Sequence, residues 1–163
     1  IVYLLPSYYR NFNKRLAKAP KLYFYDVGLA CYLLGLDSYQ RLSVDPLKGG
    51  LFENLVLMEI IKRFYNSGCD APVYYFRDSN GREIDLIIER NRKLHLIEVK
   101  AGQTAAPDWI RPLRYFQELA GKDVASSSVM YAGKESYVNQ GIHLVSSDRL
   151  RASKIEAWGS FLP

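Results

Sequence analysis

Between residues 83 and 100 hydrophobic and polar positions alternate with the two-residue period of β-strands, and the period breaks once, at Asn91-Arg92. A turn there predicts a hairpin in which residue 85 faces residue 98. Glu83, Asp85, Ile87 and Glu89 then share a face with Leu94, Leu96, Glu98 and Lys100, leaving Ile84, Leu86, Ile88, His95, Ile97 and Val99 on the other. Upstream, residues 51–66 carry a helical pattern. Val56, Leu57, Ile60, Ile61 and Phe64 line one stripe that also includes Glu53, and Ser67-Gly68 ends it. Residues 73–76 read as a strand followed by a turn at 78–81, residues 107–119 as a helix, and residues 124–131 and 142–145 as two more strands. At the start, the apolar run 1–5 stops at Pro6 and reads as the end of a strand that belongs to something upstream. Residues 22–25 form a further strand, Asp26 caps a helix running to Gly35, and residues 37–50 make a loop or broken helix. Strands and helices in this order predict an α/β fold, a mixed sheet flanked by helices.

With 163 residues, 48% hydrophobic and 24% charged, the chain can bury a core and lacks the signature of disorder. Its longest uncharged apolar stretch, residues 27–36, is too short to span a bilayer, which predicts a buried helix and no membrane partner. Cys31, Cys69, His95 and His143 have no metal-ligand spacing, so a zinc site of the usual type is excluded. Without a secretory signal, a reducing cytoplasmic setting is expected. The net charge of +5 permits a polyanionic partner. Its basic residues cluster early: Arg10, Lys14, Arg15, Lys18 and Lys21 lie among Tyr8, Tyr9, Phe12 and Tyr23. Such a stretch either holds phosphates and stacks bases of a nucleic acid or is a solvated surface.

The candidate chemistry lies in the hairpin. Carboxylates opposite one another, with Cβ atoms about 5 Å apart, repel and destabilise a sheet unless positive charge intervenes. Either a hard divalent cation such as Mg2+, which takes one or two carboxylates plus water and phosphate, or the nearby Lys100 supplies that charge. Glu53 poses a similar question. A carboxylate in an apolar stripe needs an ion partner or a metal, or else reaches sideways to water from the first helical turn, where the dipole favours it.

A helical glutamate, an aspartate on a hairpin strand and Glu-x-Lys on the returning strand, followed by a helix, resemble the PD-(D/E)XK nuclease superfamily. The matching residues are Glu53, Asp85, Glu98 and Lys100, with Ile84 where proline gives the superfamily its name. A fuller resemblance runs through residues 18–29, 50–54, 75–78, 83–86 and 97–100, which are similar to the domain of unknown function 4143. That resemblance implies a restriction-endonuclease-like core over residues 48–163. It also implies that residues 1–47 are the tail of a winged-helix segment with a connecting helix, following an AAA-type ATPase domain in a longer protein. ATP is then expected only in that missing domain, since no Gly-rich Lys-Ser/Thr phosphate loop occurs in this chain. For a nuclease, the resemblance implies that Asp85 and Glu98 hold Mg2+ or Mn2+ and that Glu53 completes the shell or orients water. Lys100 would position or deprotonate the attacking water, Thr104 and Gln117 would lie near the phosphate, and Lys14, Arg15, Lys18 and Lys21 would contact DNA. A catalytically silent DNA-binding or protein-interaction module that regulates the ATPase is the other expectation.

Overall fold

A computed structural model describes residues 1–9 and 19–151. In a small sheet, β1 (Val2–Leu5) pairs antiparallel with β2 (Lys21–Phe24), Val2 opposite Phe24 and Leu5 opposite Lys21. The opening strand therefore finds its partner within this chain. Three helices follow: α1 (Val27–Leu33), α2 (Tyr39–Val44) and α3 (Lys48–Asn66). The main sheet contains β3 (Val73–Arg77), β4 (Glu83–Arg90), β5 (Lys93–Lys100), β6 (Val124–Tyr131), β7 (Tyr137–Asn139) and β8 (Ile142–Ser146). Their spatial order is β3-β4-β5-β6-β8-β7. Strands β3, β4 and β5 form an antiparallel meander. The parallel step from β5 to β6 is made through α4 (Arg111–Ala120), β8 lies parallel to β6, and β7 closes the edge antiparallel to β8.

Two apolar layers sandwich this sheet. On one side α3 packs Val56, Leu57, Ile60, Ile61 and Phe64 against Leu86, Ile88, Ile97 and Val99. On the other, Leu113 and Phe116 of α4 cover Ile84, Ile87, Leu94, Leu96 and Val129. Each of these side chains, taken from water, contributes roughly 1.5–3 kcal/mol. The pattern-based α/β architecture, a mixed sheet flanked by helices, is the one observed.

Local differences have physical reasons. Helix α3 begins at Lys48 and runs through Gly49-Gly50, where the sequence reads as a loop. Asp45 Oδ1 accepts the Leu47 amide at 2.8 Å and sets up the first turn, and the burial of Leu51 anchors it, so packing overrides the weak helical preference of glycine. The segment at residues 37–50 also forms α2. The predicted helix over 107–119 opens as a 3-10 turn at Pro107–Ile110 before becoming α-helical. Strand β7 has all three residues exposed, so it has no alternation to read. Asp26 caps α1 as expected, accepting from Leu29 N at 3.1 Å, and Gly35 follows that helix at φ +70°. Among the described residues no helix is long and apolar enough to cross a membrane.

Candidate functional site

Asn91 and Arg92, at φ 52° and 60°, form the left-handed two-residue turn that matches strand twist, and the ladder runs from Arg90 opposite Lys93 to Leu86 opposite Ile97. The predicted register holds over this span. A bulge then intervenes. Tyr74 faces Ile87 and Phe76 faces Ile84, so two steps along β3 answer three along β4, placing one additional residue at Asp85-Leu86. Ile84 is thereby turned into the α4 layer beside Ile87, correcting the expectation that it shares a face with Leu86. Freed from regular pairing, Asp85 uses Oδ2 to accept the Val99 backbone amide of β5 at 2.8 Å.

The Asp85 carboxyl is pushed up to about 8, chiefly because burial disfavours its charged form, with the Glu98 and then the Glu53 charges adding to this. The Val99 amide and Lys100 act in the opposite sense. Glu98, buried at 4% exposure, is also held above the ordinary carboxylate range, again first by burial. Its Oε1 accepts from Lys100 Nζ at 2.7 Å, while its buried Oε2 has no hydrogen-bond partner among the described residues. Burial alone would lower the Lys100 ammonium. The charge and hydrogen bond of Glu98 outweigh it and leave Lys100 above its usual value.

Glu53 is held from a different direction. Its Oε1 accepts from Lys21 Nζ at 3.0 Å and from the Tyr23 hydroxyl, both on β2. The same Lys21 ammonium pairs with Glu83, which also binds Arg77, Nε to Oε2 at 2.6 Å. Next to Glu53, Asn54 staples the two elements together: Phe24 N donates to Asn54 Oδ1 at 2.8 Å, and Asn54 Nδ2 donates to Phe24 O at 2.7 Å.

Of the residues singled out from sequence, Asp85, Glu98 and Lys100 thus adjoin at the end of β5. The Glu53 charge reaches Asp85 and Glu98, but its carboxylate is hydrogen-bonded to β2. Among the described residues no three His, Cys, Asp or Glu side chains stand close enough together to hold a metal. Lys14, Arg15 and Lys18 lie outside the described residues. Lys21, expected to face DNA, has its ammonium between Glu53 and Glu83. Thr104 is exposed, and the Gln117 amide donates to Ser127 Oγ at 2.9 Å. The sequence reading places Tyr23 in the basic, aromatic stretch and Glu83 on the Asp85 face without singling out either as a site residue. The two-residue spacing that puts Lys21 and Tyr23 on one face of a strand, and Glu83 two residues before Asp85, was the available signal.

Asp85 and Glu98 suit a small hard cation. Among the described residues Glu98 Oε2 is a buried acceptor with no hydrogen-bond partner, both acids offer only oxygen, and Mg2+ or Mn2+ would give that atom a partner. Burial raises both acids, with the Glu98 and Glu53 charges adding at Asp85 and the Glu83 and Glu53 charges adding at Glu98, and a cation would relieve these conditions.

In sequence, the chain is 28% identical over 137 residues to an uncharacterized protein from Mycobacterium tuberculosis and, equally, to one from Mycobacterium bovis. The matched region covers 84% of this chain but 29% of each relative, so the chain spans less than a third of their length. No solved structure matches. A model for a second domain of unknown function, DUF8612, matches residues 1–40, which include both strands of the small sheet. The bulged hairpin, α3 and the strands through β8 all fall within residues 48–150, which match the model for domain of unknown function DUF4143, and the chain belongs to that family.

Proposed function

We propose that this domain is a divalent-cation-dependent phosphodiester hydrolase acting on DNA, joined in the full-length protein to an AAA-type ATPase domain. The observation that carries the reading is the buried Glu98 Oε2, without a hydrogen-bond partner among the described residues, beside a raised Asp85 carboxyl, with an ammonium two residues further on. Asp85 and Glu98 would hold Mg2+ or Mn2+, which, when bound, supplies Lewis-acid polarisation of a phosphate oxygen and makes water a better nucleophile.

The chain's own residues do the rest. The Val99 amide fixes Asp85 through Oδ2, so this carboxylate presents a defined oxygen without reorganising. Lys100 is protonated at neutral pH in the Glu98 pair, and in that form it donates to a phosphate oxygen and offsets charge developing in the transition state. Its use as a base requires loss of the Glu98 charge that now holds its proton. The α3 and α4 layers pin β4 and β5 from both sides, so the acids keep their spacing.

The test is cleavage of labelled branched, single-stranded and duplex DNA in Mn2+ by the wild-type protein and by Lys100→Ala. A loss of at least 100-fold on truncating Lys100 is expected. Activity that survives the change marks a contaminant.

A second reading, a docking module that regulates the ATPase without cleaving, is favoured by a separate feature. A cavity of about 450 Å3 between β2, α1 and α3 is lined by Leu22, Leu33, Leu34 and Leu47, all at least 48% exposed. Tight association with the ATPase portion, with no salt-dependent DNA binding, selects that reading.

A further inference from the structure

Lys21 and Tyr23 come from the segment matched by DUF8612, yet their polar ends meet on Glu53, in the segment matched by DUF4143. The contact is firmly built. Tyr23 is 6% exposed, the Lys21 ammonium sits 5.4 Å from the centre of the Tyr75 ring, and Asn54 binds both backbone groups of Phe24. Lys21 thus supplies Glu53 and Glu83 with the positive charge that a cation would supply.

Resting on the cation reading above, we propose that Lys21 and Tyr23 are positioning residues that form a latch: while β2 is docked they hold Glu53 out of the shell of the Asp85–Glu98 cation. The site then binds its cation through two carboxylates. Undocking of β2 releases Glu53 as a third. Three observations support this assignment. Glu53 Oε1 is engaged by both β2 donors. No trio of potential ligands converges among the described residues, although the Glu53 charge reaches both Asp85 and Glu98. The two donors are also the first and third residues of a single short strand, so one movement withdraws both.

Calorimetric titration of the whole chain with Mn2+ tests the latch, with circular dichroism to establish that each variant folds. Lys21→Met retains the aliphatic stem and is expected to raise Mn2+ affinity about tenfold, in keeping with the gain from an added charged ligand. Removing a positive charge could do the same through simple electrostatics, so the deciding comparison is Lys21→Met combined with Glu53→Gln against Glu53→Gln alone. The latch requires the gain to vanish there. A gain that persists without Glu53 overturns it. Tyr23→Phe, which changes no charge and keeps the ring in place, is expected to raise affinity about threefold, and supplies the test should Lys21→Met fail to fold. An unchanged or weaker Mn2+ affinity in both single variants refutes the latch alone, provided Asp85→Asn still abolishes binding. Binding that survives Asp85→Asn refutes the underlying cation reading, and the latch with it.

Discussion

Replacing Asp85 with asparagine keeps the shape of the side chain and an oxygen able to accept from Val99 N, but removes the charge that burial and Glu98 oppose. The sign follows from the direction of the shift. A carboxyl raised on folding gives stability that is complete below its unfolded value of 3.8 and is lost as pH rises through its folded value of about 8. Each tenfold change in proton affinity is worth about 1.4 kcal/mol, so the whole displacement corresponds to on the order of 6 kcal/mol. Relaxation and water access around a half-buried group reduce this by about half, leaving about 2–3 kcal/mol.

Asp85→Asn is therefore expected to be more stable than wild type by about 2–3 kcal/mol at pH 8, a rise of roughly 5–10 °C in Tm for a domain of this size. The advantage should shrink steadily on acidification and disappear near pH 4. Scanning calorimetry at several pH values without divalent ions measures it. A variant that melts at or below the wild-type temperature at pH 8, or an advantage that does not change between pH 4 and pH 8, refutes the argument.

Three further outcomes probe other parts of the site. Lys100→Met leaves buried Glu98 without its counter-charge, and because the Lys100 head is itself partly exposed the loss should be about 2 kcal/mol, read as a lower urea midpoint at pH 7 that recovers as acid protonates Glu98. Asn54→Ala removes both hydrogen bonds to Phe24 and should cost about 1–2 kcal/mol, with faster hydrogen exchange at the β2 amides and unchanged exchange in β5. Gly133→Ala drives a methyl into the Gln103 carbonyl oxygen and the Tyr131 ring beside the end of β5, and should lower stability by about 1–3 kcal/mol in thermal melts.

The hairpin was legible because two local rules agree. A period of two assigns faces, and a two-residue turn fixes register, so Leu86 meets Ile97 as the sequence predicts. The bulge was not legible, since Ile84-Asp85-Leu86 preserves perfect alternation. The additional residue becomes visible only when β4 meets β3, whose register depends on a loop rather than on the tight turn. Lys21 illustrates a second limit. In sequence it belongs to a basic, aromatic run, whereas its partners Glu53 and Glu83 arrive from 32 and 62 residues away. Local composition carries no trace of such pairings. At α3, Gly49-Gly50 reads as a breaker because propensity is a local quantity and the burial of Leu51 is not.

The buried Asp85 charge costs about 2–3 kcal/mol of the roughly 5–15 kcal/mol by which domains are ordinarily stable, and the packing explains why it is not relieved by simple movement. Helices α3 and α4 cover β4 and β5 from both sides, so the strands are held at their spacing. Relief must come from a proton, an ammonium or a metal ion, and these act at different oxygens. The ammonium of Lys100 takes Glu98 Oε1, the proton goes to the raised Asp85, and Glu98 Oε2 is left as the acceptor with most to gain from a cation. A cation held by Glu98 Oε2 and also by Asp85, as proposed above, competes with the proton at Asp85. Mg2+ should raise the melting temperature of the wild type at pH 8, and its apparent affinity should fall about tenfold for each step of one pH below that value. The stabilisation by Mg2+ should consequently fade over the same pH interval in which the advantage of Asp85→Asn fades. Measured side by side in thermal melts, two coincident transitions assign both effects to one carboxyl, whereas well-separated transitions show that the cation and the buried charge belong to different groups.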